Sequence, residues 1–566
     1  MRKTVLVIFS CFLSLLFVPK TYGQGQDKLL GLLKEELAQQ MKELKGEEFP
    51  PYHMNYRVID VTSSVVSASF GALMNSQQYR SRTLVPQIRL GDEKLDNFRF
   101  NQMGAAMSRY QGPSVARLPL DEENNEDAVR QAIWDEVNNR YKFAVDMYQK
   151  TKAESSVNVE EEDKAPYFSE AKVEKYYEAP LPAEKMTIDM DQWAARMKEI
   201  SAVFKNQPGI MKGDAIMIYT VERRYFVNNE GTEVVQNLPY ARIMVFGETK
   251  ADDGMELPLN LSYFAYDPAD LPANDKIIAD AKEMVKTLEA LRVAPVVDPY
   301  TGPALLSGPA SGVFFHEIFG HRIEGHRLKG GGETFKKKVG ELVLPADFQV
   351  YCDPTLRSYA GEELNGFYLY DDQGVKARRV DVVKDGILRE FLMSRVQLDG
   401  FPHSNGHGRT AGGGDPVSRQ SNLVVETTAP HTEAELRSML IEEAKKQGKE
   451  YGYYFKEVTS GFTLTGEGGS LNSFNVTPLE VYRIYVDGRP DELVRGVDLI
   501  GTPLSMFSNI VCGGDAPSVF TGECGAESGW VPVTASSPMI LVNKIETQRR
   551  QKSRDLPPIL PAPQNK

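Results

Sequence analysis

The chain has 566 residues, 41% of them hydrophobic and 25% charged, with a formal net charge of −13 at pH 7. This is ordinary globular composition, and at about 150 residues per domain the length points to three or four domains. The acid excess argues against nucleic acid or an anionic membrane surface as a partner.

The N-terminus reads as a leader. Arg2 and Lys3 precede an apolar run over residues 4–18, and small residues follow at Thr21 and Gly23. Residues 1–23 are therefore predicted to be a secretory signal peptide, which makes the protein exported, periplasmic or secreted. The run is short for a membrane span, and no other stretch is long enough. Loss of the leader removes Cys11 and leaves Cys352, Cys512 and Cys524. Three thiols do not make a disulfide scaffold, and an odd count leaves at least one unpaired within the chain, as suits a metal ligand.

The predicted elements then run as follows. Residues 27–46 carry Leu29, Leu30, Leu33, Leu37 and Met41 among polar residues, the pattern of an amphipathic helix. Alternating runs at 54–61, 65–73 and 83–90 read as strands, and 128–150 as a helix, giving an N-terminal α/β domain over 24–150. Residues 151–181, with Glu160-Glu161-Glu162-Asp163, read as a solvent-exposed acidic linker. A central α/β domain over 182–297 follows. It has a helix at 188–205, strands at 215–227, 232–246 and 256–264, and a helix at 273–291. Asn228-Asn229-Glu230-Gly231 forms the turn between its first two strands. From residue 298 glycine becomes frequent and apolar runs shorten, which predicts a mostly β C-terminal domain to residue 545. The tail, 546–566, reads as disordered. The fold class is α+β: a mixed α/β N-terminal region, then a mostly β domain carrying a metal-binding helix.

That helix is the chemical signal. His316-Glu317-Ile318-Phe319-Gly320-His321 places two of the chain's seven histidines and a carboxylate in an apolar segment. Imidazoles bind zinc, and an adjacent Glu can deprotonate a metal-held water. The string has one residue more than H-E-x-x-H. An i, i+4 pair lies about 40° apart around a helix, but an i, i+5 pair about 140° apart. Shared coordination thus predicts a bulged or interrupted helix, eased by Gly320. Two histidines leave a catalytic zinc short of a ligand. Spacing alone does not choose among Cys524, Cys512, Cys352, His326, Glu324, His403 and His407. Cys524 sits in a glycine-flanked loop, whereas Cys512 and Cys352 end apolar runs. Gly330-Gly331-Gly332, Gly412-Gly413-Gly414 and Gly466-Glu467-Gly468-Gly469 lack the Lys-Ser/Thr of a phosphate loop and read as turns. Arg419 and Asn422 are candidates for a substrate groove or for packing.

Several blocks carry a family resemblance. They are Tyr300 to Ser307, Ala310 to Gly325, Ser404 to Arg409, Pro416 to Asn422, Cys524-Gly525, Val531-Pro532-Val533 and Ser537-Pro538. Over residues 298–545 the chain resembles the TldD/PmbA family of metalloproteases, in its catalytic TldD-like branch, as an exported member. The resemblance implies zinc ligands at His316, His321 and Cys524 and a catalytic Glu at Glu317. It implies hydrolysis of peptides or unfolded polypeptides bound extended beside Zn²⁺. It also implies a homodimer, or a heterodimer with a related subunit. Two rivals stand beside it: a non-catalytic peptide-binding or assembly subunit of the same fold, and a thiol-redox protein using Cys512 and Cys524.

Overall fold

The computed structural model describes residues 27–98, 115–155, 163–329, 335–463 and 474–550. The expected leader and the last residues of the expected tail lie outside them. The fold is α+β, organised around two large sheets, of seven and eleven strands among the described residues.

The first sheet is built from long antiparallel strands. Helix α1 (Lys28–Leu44) starts at Asp27, whose side chain accepts from the Leu30 amide at 3.0 Å, and buries Leu29, Leu30, Leu33 and Leu37 along one face. Strands β1 (Pro51–Ser69) and β2 (Ala72–Leu90) form a hairpin that turns at Phe70-Gly71, both with positive φ. After α2 (Glu126–Ser155) and α3 (Met190–Ser201) come β3 (Ile210–Asn228), β4 (Glu233–Lys250) and β5 (Glu256–Ala265), then α4 (Asn274–Val293). The order is β2-β1-β3-β4, with β5 on the outer edge of β4.

This order corrects the expected division. β1 pairs with β3 along Asn55↔Asn228 to Ser69↔Asp214, so 24–150 and 182–297 are halves of one sheet. The acidic linker is corrected too. Asp163 is buried and pairs with Lys329 and Lys336. Phe168 is buried between the guanidinium groups of Arg89 and Arg395, 4.0 and 3.8 Å from its ring centre. Lys175–Tyr177 adds a short parallel strand to β4. The two strands expected at 54–61 and 65–73 are one. The polar run Thr62-Ser63-Ser64 looks like a break but is buried, with Ser63 Oγ 2.9 Å from Thr220 Oγ1.

The second sheet holds the largest core. Strand β6 (Tyr300–Leu306) leads into α5 (Gly308–Ile318) and the short α6 (Gly325–Lys329). β7 (Phe348–Cys352), β8 (Val380–Lys384) and β9 (Asn422–Thr427) follow, then α7 (Glu433–Lys446). β10 (Tyr451–Thr463), β11 (Phe474–Tyr485), β12 (Val497–Gly501), β13 (Ile510–Ala526) and β14 (Gly529–Arg549) complete it. β14 pairs with β9, β12, β13 and β6, and β6 also pairs with β10, so part of the sheet closes on itself. β14 also corrects the tail: Ile545 and Thr547 are buried strand positions, so order extends past 545. α5 lies tight against β14. A Cβ on Gly312 would come within 2.7 Å of the Ala535 carbonyl oxygen, so this contact requires glycine.

Candidate metal centre

The expected interruption falls between the two histidines. α5 stops at Ile318, Phe319 takes φ −120°, ψ −53°, and Gly320–Arg322 continue as a 3₁₀ turn. The break swings His321 back toward His316, leaving the ring centres 4.9 Å apart and the planes at 81°. Gly320 matters through space rather than through φ: a Cβ there would run into the Gln420 side chain at 1.9 Å. Arg322 secures the helix end, with Nη1 donating to the carbonyls of Glu317 at 2.8 Å and Ile318 at 3.3 Å.

Cys524 arrives on the β13–β14 hairpin. Its Sγ lies 3.4 Å from His321 Nε2, and the ligand atoms of His316, His321 and Cys524 all lie within 4.8 Å of one another. Tetrahedral zinc with bonds of about 2.0–2.3 Å separates its ligand atoms by roughly 3.3–3.6 Å. The donor set fits that ion, the Cys524–His321 pair already at 3.4 Å and all three atoms within 4.8 Å. Burial would keep Cys524 a thiol, but the adjacent imidazoles hold its pKa well below the ordinary thiol range. Burial likewise opposes charge on His321, and the Cys524 thiolate and Glu324 outweigh it and raise its pKa.

Glu324 is fully buried. Its Oε2 is 3.1 Å from His321 Nδ1 and accepts from Arg327 Nε at 2.7 Å, while Oε1 accepts from the Gln420 amide at 3.3 Å. Occupying Nδ1 leaves Nε2 facing Cys524, as a carboxylate behind a metal-binding histidine does. Burial would raise its pKa, but His321 and Arg327 pull it well below the usual carboxylate range.

Glu317 is only 7% exposed, with Oε2 4.0 Å from His321 Nε2. That oxygen has no hydrogen-bond partner among the described residues. Burial raises its pKa, against the pull of His316 and His321. Its side chain rests on bare backbone of β10: a Cβ on Gly461 would sit 2.4 Å from Glu317 Cγ.

The other candidates lie elsewhere. Cys352 is buried in β7, and burial pushes its thiol up. Cys512 packs with Leu305, Leu436 and Leu541. No disulfide joins the three described cysteines. His326 pairs through Nε2 with Glu527. His407 is fully buried beside Asn405 Oδ1 at 3.0 Å, and burial pushes its pKa down to about 3. His403 is exposed. Arg419 and Asn422 pack rather than line a groove. Arg419 donates to the Cys524 carbonyl at 2.6 Å and the Gly529 carbonyl at 3.0 Å, fixing the hairpin, and Asn422 Nδ2 donates to the carbonyls of Asp353 and Leu356. The sequence reading did not give Arg419 this role, nor Gly461 and Glu527 any. Glu324 stood among the ligands, though its i, i+3 spacing from His321 on a helical turn was a signal for pairing with that ring.

The centre opens on a cavity of about 1390 Å³. Leu261 and Tyr263 of β5 line it from the first sheet, and Glu317, Gly461, Cys524 and Trp530 from the second.

A two-sheet α+β chain gathers two histidines and a cysteine beside a buried carboxylate at a large cleft, a donor set that could hold a metal ion. Residues 299–549 match the family model described as the PmbA/TldA metallopeptidase C-terminal domain. Over those residues the chain is similar to the TldD/PmbA family. It is 29% identical over 272 residues to an Archaeoglobus fulgidus protein named metalloprotease, covering 47% of this chain and 58% of that one. It is 27% identical over 331 residues to a Methanothermobacter thermautotrophicus metalloprotease, 56% of this chain and 65% of that one. A Haemophilus influenzae protein named metalloprotease TldD homolog is 25% identical over 250 residues, 43% and 47% of the two chains. The chain thus spans about half to two thirds of these relatives' length. Among solved structures, TldE from Thermococcus kodakarensis superposes with a TM-score of 0.59 at 14% identity, covering 92% of this chain and 100% of that one. A Thermotoga maritima protein gives 0.58 at 15%, covering 91% and 100%. At those identities the likeness concerns the fold.

Proposed function

We propose that the protein is a zinc-dependent metallopeptidase that hydrolyses peptides or unfolded polypeptides lying in the cleft between its sheets. The observation that carries this reading is the gathering of His316, His321 and Cys524 within 4.8 Å, next to the partnerless buried oxygen of Glu317. The names of the relatives support it.

When bound, zinc supplies Lewis acidity and lowers the pKa of a water it holds. The chain does the rest. His316, His321 and Cys524 would hold the ion, the three protein ligands that a catalytic zinc site uses. Glu317 Oε2, whose basicity burial raises, takes a proton from the attacking water and returns it to the leaving amine. Glu324 keeps His321 in the tautomer that presents Nε2.

Glu317→Gln is expected to keep zinc and fold while turnover of an unstructured polypeptide falls about 10²–10⁴-fold. Undiminished turnover would remove Glu317 as the base. Cys524→Ser is expected to weaken zinc binding, and unchanged stoichiometry and affinity would reject Cys524 as a ligand. The rival role of a non-catalytic assembly subunit draws on the likeness to TldE, and a zinc-free purified chain would favour it. We also propose assembly with a second copy or a related subunit, checked by light scattering. Export through residues 1–23 is the matching proposal for localisation, and an N-terminus at Gln24 in the exported chain would bear it out.

A further inference from the structure

The cleft wall near the metal centre carries an arrangement that the peptidase reading leaves unused. Glu457 on β10 and Glu480 on β11 are ladder partners, with a register shift on either side of the pair. Opposed residues of an antiparallel pair share a face, and like charges there are destabilising. Both line the cleft. Glu480 has its own partners, Lys456 Nζ at 2.8 Å and the Tyr482 hydroxyl. No described cation pairs with Glu457.

The cations on this wall are committed elsewhere. Lys456 is held by Glu480, Lys276 by Asp280, and Arg327 by Glu324 and Glu527, while Arg242, on β4 across the cleft, has Glu523 and Tyr240 as its charged neighbours. Glu362, on another part of the lining, also has no ion pair among the described residues. Desolvation between the cleft walls, and next the Glu480 carboxylate, push Glu457 up to about 7, although its side chain opens to the cleft. The same wall runs into the metal centre: Glu317, more than nine-tenths buried and with Oε2 lacking a hydrogen bond among the described residues, lines this cleft and rests against Gly461 of the strand that carries Glu457.

We propose that Glu457, with Glu480 behind it, receives a lysine or arginine side chain of the substrate, so that the cleft selects cationic polypeptides. The proposal rests on the peptidase reading of the cleft. Gly461 lies four residues along the strand from Glu457, about 13 Å at 3.3 Å per residue. An extended substrate therefore places its cationic side chain three to four residues from the bond beside Glu317. A peptide ammonium or guanidinium there relieves the carboxylate pair, and an acidic residue adds a third like charge.

The test separates binding from hydrolysis. Fluorescent ten-residue peptides carrying one Lys, Gln or Glu are titrated by anisotropy onto zinc-loaded Glu317→Gln chain at low salt. The Lys peptide is expected to bind about tenfold or more tightly than the Glu peptide, the gap narrowing in high salt. Adding Glu457→Gln should cut the Lys-to-Glu ratio at least about threefold, and Glu457→Asp should restore part of it. Equal affinities, or a ratio indifferent to Glu457→Gln, would overturn the proposal. Hydrolysis by the wild-type chain is scored apart: charge-selective binding without cleavage would sink the peptidase reading and leave the cationic preference standing.

Discussion

The two sheets are built to different rules. In the first, β1 keeps its register against β3 without a shift over its whole pairing, and β2 follows it from His53↔Arg89 to Ser67↔Asn75. Its faces are covered by helices through Met54, Tyr56, Val58 and Met217, and its own buried charge, such as Arg89 with Asp96, is paired away from the cleft. In the second, β10 and β11 slip register three times between Phe455 and Ser460, where the cleft runs. Its interior encloses charge: Glu324, Arg395 and Arg419 are all about 1% exposed or less. The regular sheet is a wall. The irregular one spends local order on aiming side chains, as bulges near functional sites do.

The contrast breaks most sharply at Glu324. Glu324→Ala leaves Arg327 without one of its two carboxylates and a buried pocket without its charge, a loss of about 3–5 kcal/mol. Zinc affinity should fall with it, because His321 loses the group that fixes its tautomer. Met54→Ala, in the fully buried face of β1, should cost about 2–5 kcal/mol through its cavity. Zinc affinity and turnover per folded molecule should there stay as they are. Urea midpoints with zinc titrations of both variants check this, and a zinc defect in Met54→Ala would mean that the first sheet tunes the centre.

Next in size is Gly461→Ala. The added methyl would meet Glu317 Cγ at 2.4 Å, and overpacking of this kind costs about 1–3 kcal/mol. Displacing the base by an ångström should lower turnover by about 10²-fold while zinc stays bound. Full turnover in this variant would show that Glu317 works from a position other than the one it holds here.

How much of this was legible in the sequence follows the same division. The break in α5 was legible, because the i, i+5 spacing of His316 and His321 admits few geometries. So was the β3–β4 hairpin, where the Gly231 amide donates to the Asn228 carbonyl and Gly231 takes φ +103°. The single first sheet was not, since Asn55 finds Asn228 across the chain and no local signal encodes that pairing. Cys524 was a candidate among seven, since 203 residues separate it from His321 and only the closure of β13 on β14 brings it in. Phe168 and Asp163 lay in a stretch whose charge read as solvated, yet Arg89, Arg395 and two lysines bury it. Long-range pairing and buried charge are what composition and periodicity leave unseen.

The smallest expected effect is a pH limb, and it tests whether charge in the second sheet stabilises as well as aims. Glu527 Oε2 accepts from Arg327 Nη2 at 2.7 Å, and Oε1 meets His326 Nε2. Burial alone would raise the Glu527 pKa; the hydrogen bond to His326 and the Arg327 charge outweigh it and bring it down to about 2. Burial lowers the pKa of His326, so that ring is neutral at pH 7 and Arg327 is the cation that holds Glu527 ionised there. A carboxylate whose pKa is depressed on folding stabilises fully above its unfolded value and loses that contribution as pH falls toward the folded one. The window is therefore about pH 5 down to about 2. His326, which must charge as the solution is acidified, steepens the same loss. Glu527→Gln should lie about 1–2 kcal/mol below wild type at pH 7, with the two urea-midpoint curves converging as pH approaches 3. Parallel curves across that range would mean that the Glu527 pairing aims Arg327 without stabilising the sheet, leaving the second sheet's buried charge as a cost borne for the site alone.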